Sequence, residues 1–133
     1  MQIMAIDYGS KRVGVASTNE TGEFALPRVV LENNEELIDR LLKFISEHNI
    51  EQVVIGESKN FDGSPNLIQK DIDLLSSMLM SKGIDIVSHP EVMTTVEARR
   101  LQGTTQMTDA SAAALILKNF LDTGYNNIHG SSS

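Results

Sequence analysis

The stretch Ile3-Met4-Ala5-Ile6-Asp7-Tyr8-Gly9-Ser10-Lys11-Arg12-Val13-Gly14-Val15-Ala16 decides the fold. Two apolar runs, Ile3 to Ile6 and Val13 to Ala16, flank a tight turn marked by Gly9, and such a pair predicts an antiparallel hairpin. Asp7 closes the first run, which places a carboxylate at the rim of a sheet. An aspartate before a glycine is also an ordinary turn residue, so the other acids of the chain must decide between the two readings.

Outward from the hairpin, Asn19 and Gly22 mark a second turn, giving a meander of three strands: Gln2 to Asp7, Arg12 to Ser17, and about Phe24 to Leu31. From Glu35 the apolar period changes to that of a helix, with Leu37, Leu41, Leu42 and Ile45 on one side and Asn33 or Asn34 as cap. Val53, Val54 and Ile55 form a short buried strand ended by Gly56. A polar, turn-rich segment with Asp62-Gly63-Ser64-Pro65 leads to a second helix, marked by Leu67, Leu74, Leu75 and Met78. Ile84, Ile86 and Val87 give a fifth strand. Beyond His89-Pro90 come a short helix from about Thr95 to Leu101, a loop through Gly103, and a last helix from about Thr108 to Asp122.

This order of elements satisfies the right-handed crossover rule in only a few ways. The most economical is an α/β fold with a mixed five-stranded sheet, order 3-2-1-4-5, strands 1, 4 and 5 parallel and helices on both faces. That is the ribonuclease H-like architecture. A length of 133 residues fits one domain able to bury its own core. It is expected over residues 1–123, with an Asn-, Gly- and Ser-rich tail over 124–133.

In that topology strand 4 lies beside strand 1 and parallel to it, so Glu57 is expected at the same sheet end as Asp7. Asp109 opens the last helix, ahead of an apolar stripe of Ala113, Ile116 and Phe120. Glu91 follows strand 5 at the same rim, one strand further away. Asp109 also reads as a first-turn acid favoured by the helix dipole, Glu57 as a loop acid, and His89 as a satisfied surface or loop histidine. Three carboxylates gathered at one rim would repel unless metal bound them. Mg²⁺ or Mn²⁺, held by oxygen ligands and keeping waters for a phosphate, is the natural occupant. Asp7, Glu57 and Asp109 are therefore the candidate ligands, with Glu91 in support.

Composition limits the rest. The net charge of −7 argues against coating nucleic acid by bulk attraction, although clustered metal-binding acids would account for part of it. Lys11, Arg12, Lys59, Arg99 and Arg100 lie near the turns of interest, as phosphate contacts or as solvated charges. Without cysteine the chain has no disulfide or thiolate site. No run reaches the roughly 20 apolar residues of a membrane span, and a cytoplasmic protein is expected.

Together these residues resemble the YqgF (RuvX) family of Holliday-junction-resolvase-like nucleases in the ribonuclease H-like superfamily. The family's D-x-G-x-K-R-x-G-x-A opening is met by Asp7, Gly9, Lys11, Arg12, Gly14 and Ala16, and its closing D-x-x-A-A by Asp109, Ala112 and Ala113. Between them, Gly56, the loop Asn60, Asp62, Gly63, Ser64, and Thr94, Thr95, Glu97, Ala98 match weaker motifs. Two departures stand out: Glu57-Ser58 where the family has Leu-Pro, and Pro90-Glu91-Val92 where it has Asp-Glu-Arg.

The resemblance implies a metal-dependent nuclease acting on branched DNA or precursor ribosomal RNA, as a monomer or homodimer. It implies Asp7 bridging two ions about 4 Å apart and Lys11, Arg12, Lys59 and Arg99 at the substrate. Glu57 would take the place of the second catalytic acid of the RuvC-type resolvases. A nucleic-acid-binding or scaffold domain that has lost catalysis is the alternative, suggested by the altered strand 5 motif. A nucleotide-phosphate turn of the actin and sugar-kinase type, which Asp7-Tyr8-Gly9-Ser10 also resembles, needs two such domains where this chain has room for one.

Overall fold

Three consecutive strands open the chain and helices then alternate with the remaining two: β1 (Ile3–Tyr8), β2 (Arg12–Thr18), β3 (Ala25–Glu32), α1 (Leu37–Glu47), β4 (Gln52–Gly56), α2 (Ile68–Ser81), β5 (Ile86–His89) and α3 (Gln106–Asn119), with a π-helical turn over Phe120–Tyr125. The computed structural model describes residues 1–57, 68–89 and 106–125, the side chains of 106–109 and 123–125 excepted. The expected loop through Asp62 to Pro65, the helix over 95–101, and Leu67, Lys59, Glu91, Arg99 and Gly103 lie outside the described residues.

The sheet has the order β3-β2-β1-β4-β5. β1 pairs antiparallel with β2 and parallel with β4, which pairs parallel with β5. The expected topology is therefore the observed one. Because β1 and β4 are central and covered on both sides, their residues are apolar almost throughout, and alternation shows only in what each side chain touches. Met4, Ile6, Val53 and Ile55 pack with Leu37, Leu41 and Ile45 of α1 and Ile72, Leu75 and Leu79 of α2. Ile3, Ala5, Ala16 and Val54 pack with Ala113, Ile116 and Leu117 of α3. Each fully buried Leu or Ile contributes about 1.5–3 kcal/mol, so these two layers fix which helix covers which face.

Local differences from the expected elements have physical causes. Asn34 does serve the start of α1: its Oδ1 accepts from the Glu36 N–H at 3.0 Å and its backbone C=O from the Leu37 N–H at 3.1 Å. In α2 the inward stripe is Ile72, Leu75 and Leu79, whereas Leu74 and Met78 are exposed. Apolar residues at 72, 74, 75, 78 and 79 form two adjoining stripes, and only packing selects one. Among the described residues, no helix is long and apolar enough to cross a membrane.

Candidate active site

Asp7 shares strand parity with Ile3 and Ala5, so its side chain is directed to the α3 face of the sheet. Its neighbours along the sheet are two glycines. On β2 its partner is Gly14; on β4 the last rung pairs Ile6 with Ile55, and one step further the same register sets Asp7 beside Gly56. Gly56 in turn pairs with His89 on β5. A row of His89, Gly56, Asp7 and Gly14 thus crosses four strands on the α3 face. With strands about 4.8 Å apart, His89 stands roughly 10 Å from Asp7.

Glycine at position 56 has a packing reason. A Cβ there would lie 2.8 Å from Cδ1 of Ile116, so α3 rests directly on the β4 backbone beside Asp7. Asp109 belongs to the same helix, one turn ahead of the buried Ala113. The apolar stripe expected for this helix is present: Ala113 and Ile116 are buried, and Phe120 packs against the same cluster.

Glu57 lies one residue beyond β4, at the sheet end where β1 also finishes. Its N–H donates to the His89 C=O at 2.8 Å, repeating the bond from the Val53 N–H to the Asp85 C=O. The parallel ladder therefore runs through residue 57, and Glu57 keeps the parity of Val53 and Ile55, which face α1 and α2. The fold brings Asp7 and Glu57 to one end of the sheet but assigns them opposite faces. Among the described residues, no three His, Asp or Glu side chains gather as a metal site; Glu91 and the Asp109 side chain lie outside that description.

His89 is largely buried, unlike the loop histidine expected. Its Nε2 lies 2.6 Å from Asn119 Oδ1, within hydrogen-bond distance. The ring also meets Phe120 edge-on, with centroids 6.0 Å apart. β5 is thereby tied to the end of α3, where the π-helical turn begins. No spacing in the sequence joins residues thirty positions apart, so this link was not legible there.

Lys11 and Arg12 are exposed on the β1–β2 turn. They line a hollow of about 540 Å³ with Ser10, Glu32, Asn33 and Asn34. Asn33, which the sequence offered only as a helix cap, braces this turn: its Nδ2 donates to the Gly9 C=O at 2.8 Å, and its N–H to the Lys11 C=O at 2.9 Å. Gly9 is required at close quarters, because a Cβ would meet the Arg12 carbonyl oxygen at 2.5 Å.

In sequence and in fold the chain is similar to known proteins. A protein of Bacillus cereus named "Putative pre-16S rRNA nuclease" is 30% identical over 139 residues, covering 92% of this chain and 99% of its own. One of the same name from Thermoanaerobacter pseudethanolicus is 30% identical over 138 residues, covering 95% and 99%. In fold the chain is similar to RuvC of Thermus thermophilus, with a TM-score of 0.60 at 13% identity over 93% of this chain and 97% of that one. The Holliday junction resolvase of fowlpox virus gives 0.55 at 12% identity over 92% and 99%. The fold is thus that of the ribonuclease H-like resolvases. A family model described as RuvX, Holliday junction resolvase, matches residues 1–123, and the chain belongs to the RuvX family.

Proposed function

We propose that the chain is a divalent-metal-dependent nuclease that cleaves phosphodiester bonds in structured nucleic acid, with the precursor of 16S ribosomal RNA as its substrate. The observation that carries this reading is the position of Asp7: it stands one residue before the end of the central strand, between two glycines, on the sheet face covered by the helix that bears Asp109. Relatives 30% identical over nearly their whole length carry the pre-16S rRNA name, which favours RNA over a four-way DNA junction.

The donor set suits Mg²⁺ or Mn²⁺, since carboxylate oxygens are the ligands these ions take. Asp7 and Asp109 would hold the ion from the strand and the helix. Glu91, which keeps the family's strand 5 glutamate, would supply the third carboxylate in this reading, since continuing the β4 parity past Gly56 would turn Glu57 toward the other face. A metal held there supplies an activated water and charge neutralisation at the leaving oxygen. Lys11 and Arg12, oriented by Asn33, would contact phosphates of the strand being cut. Phosphate contacts position a substrate without reading its sequence, so recognition rests on shape.

The test offers precursor 16S rRNA and a four-way DNA junction side by side in Mn²⁺, to the wild type and to Asp7→Asn. Cleavage of the RNA by the wild type alone is expected. Cleavage of the junction alone would reassign the substrate, and binding without cleavage of either would identify a nucleic-acid-binding domain that has lost catalysis.

A further inference from the structure

The opposite face of the sheet carries a second feature, independent of the carboxylates. A hollow of about 260 Å³ opens between the start of α1 and the middle of α2, with Tyr8 at its base and Ile38, Leu74 and Met78 among its walls. Leu74 is 63% exposed and Met78 50%. They stand one turn apart on α2, beside the inward stripe of Ile72, Leu75 and Leu79. A contiguous apolar surface next to a groove marks an interaction site more often than isolated exposed side chains do. Methionine, flexible and polarisable, adapts to a partner's shape.

The charges around the hollow select the partner. Among its described lining residues the ionisable side chains of charged type are Glu35 and Asp71, both acidic. Lys70, one turn before Leu74, is outside the lining. Two carboxylates beside an apolar floor repel phosphates, which disfavours a nucleic acid strand here. A two-fold contact with a second copy would set this acidic rim against itself. An amphipathic helix with apolar residues at i and i+4 and Lys or Arg on its flanks satisfies both floor and rim.

We infer that the groove between α1 and α2 docks a basic amphipathic helix of a protein partner, with Leu74 and Met78 as apolar anchors and Glu35 and Asp71 as charge partners. The site lies across the sheet from Asp7, so occupancy leaves the carboxylate face open.

The test uses the full chain labelled at methionine methyl groups, titrated with a synthetic leucine–lysine amphipathic helix, a leucine–glutamate helix of the same pattern, and single-stranded oligouridine. The leucine–lysine helix is expected to shift the Met78 methyl and leave the buried Met4 unmoved. Leu74→Ser with Met78→Ser, which lacks the Met78 methyl and is followed instead through a fluorescent label on the peptide, should weaken that binding at least about tenfold, equivalent to about 1.4 kcal/mol. Asp71→Asn, which leaves the apolar floor intact, should weaken it by a smaller factor. The proposal is overturned if the double variant binds the peptide as well as the wild type, or if the leucine–glutamate helix binds equally. Displacement of the Met78 signal by oligouridine, or by raising protein concentration alone, would likewise overturn it in favour of nucleic acid or a second copy.

Discussion

Ile116 of α3 lies over Gly56 of β4 so closely that a Cβ on the glycine would stand 2.8 Å from its Cδ1. Since the β1–β4 register, continued one step past Ile6 and Ile55, also sets Gly56 beside Asp7, the contact that seats the helix and the surroundings of the central carboxylate meet at one residue.

Gly56→Ala should therefore destabilise the protein, though by only about 1 kcal/mol, because the atom it meets is the end of a side chain that can yield. Ile116→Val shortens that end and should recover part of the loss. Denaturant unfolding of the two single variants and the double variant checks this as a cycle; strict additivity would mean that the contact does not seat α3.

The β1–β2 turn depends on a harder contact. A Cβ at position 9 would meet a backbone oxygen, that of Arg12, so Gly9→Ala must open the turn that presents Lys11 and Arg12. Asn33→Ala removes the bond to the Gly9 carbonyl and should act in the same direction more mildly, at about 1 kcal/mol for a single hydrogen bond. Both variants should bind precursor RNA more weakly than the wild type, with a shallower dependence on salt as phosphate contacts are lost. Affinity measured across a salt series reads this directly; unchanged slopes would take the turn out of the interface.

Strand parity makes a prediction about acids. Asp7→Asn should abolish cleavage and keep the fold, and without metal it should raise stability, on the order of 1 kcal/mol, if repulsion with Asp109 is relieved. Glu91→Gln should lower turnover by roughly 3 kcal/mol of transition-state stabilisation or more, the scale of losing an organising electrostatic group. Glu57→Gln should cost far less. Single-turnover rates of the three variants rank them, and a Glu57 variant as impaired as Asp7→Asn would mean that residue 57 crosses to the α3 face.

The sheet was legible in the sequence because turn residues punctuate it: Gly9, Asn19 and Gly22 separate three strands, and the crossover rule then admits few arrangements. Parity was not legible. Ile3 to Ile6 and Val53 to Ile55 are buried on both sides, so their hydrophobicity carries no alternation to show that Asp7 and Glu57 diverge. In α2, two apolar stripes lie side by side, and Leu74 and Met78 read as core until Ile72, Leu75 and Leu79 are seen to occupy it. The link between His89 and Asn119 exists only through the fold, as does the brace that Asn33 gives the turn.

The proposed divalent metal on the α3 face, held by Asp7 and Asp109, is measured most directly by paramagnetic broadening with Mn²⁺. In the wild type, amide signals of Asp7, Gly14 and Gly56 and of the first turn of α3 should broaden at substoichiometric Mn²⁺, ahead of Leu74 and Met78 on the other face. In Asp7→Asn that selective broadening should disappear. Broadening that spares Asp7 and Asp109 in the wild type, or that persists unchanged in the variant, would place the metal elsewhere or exclude it.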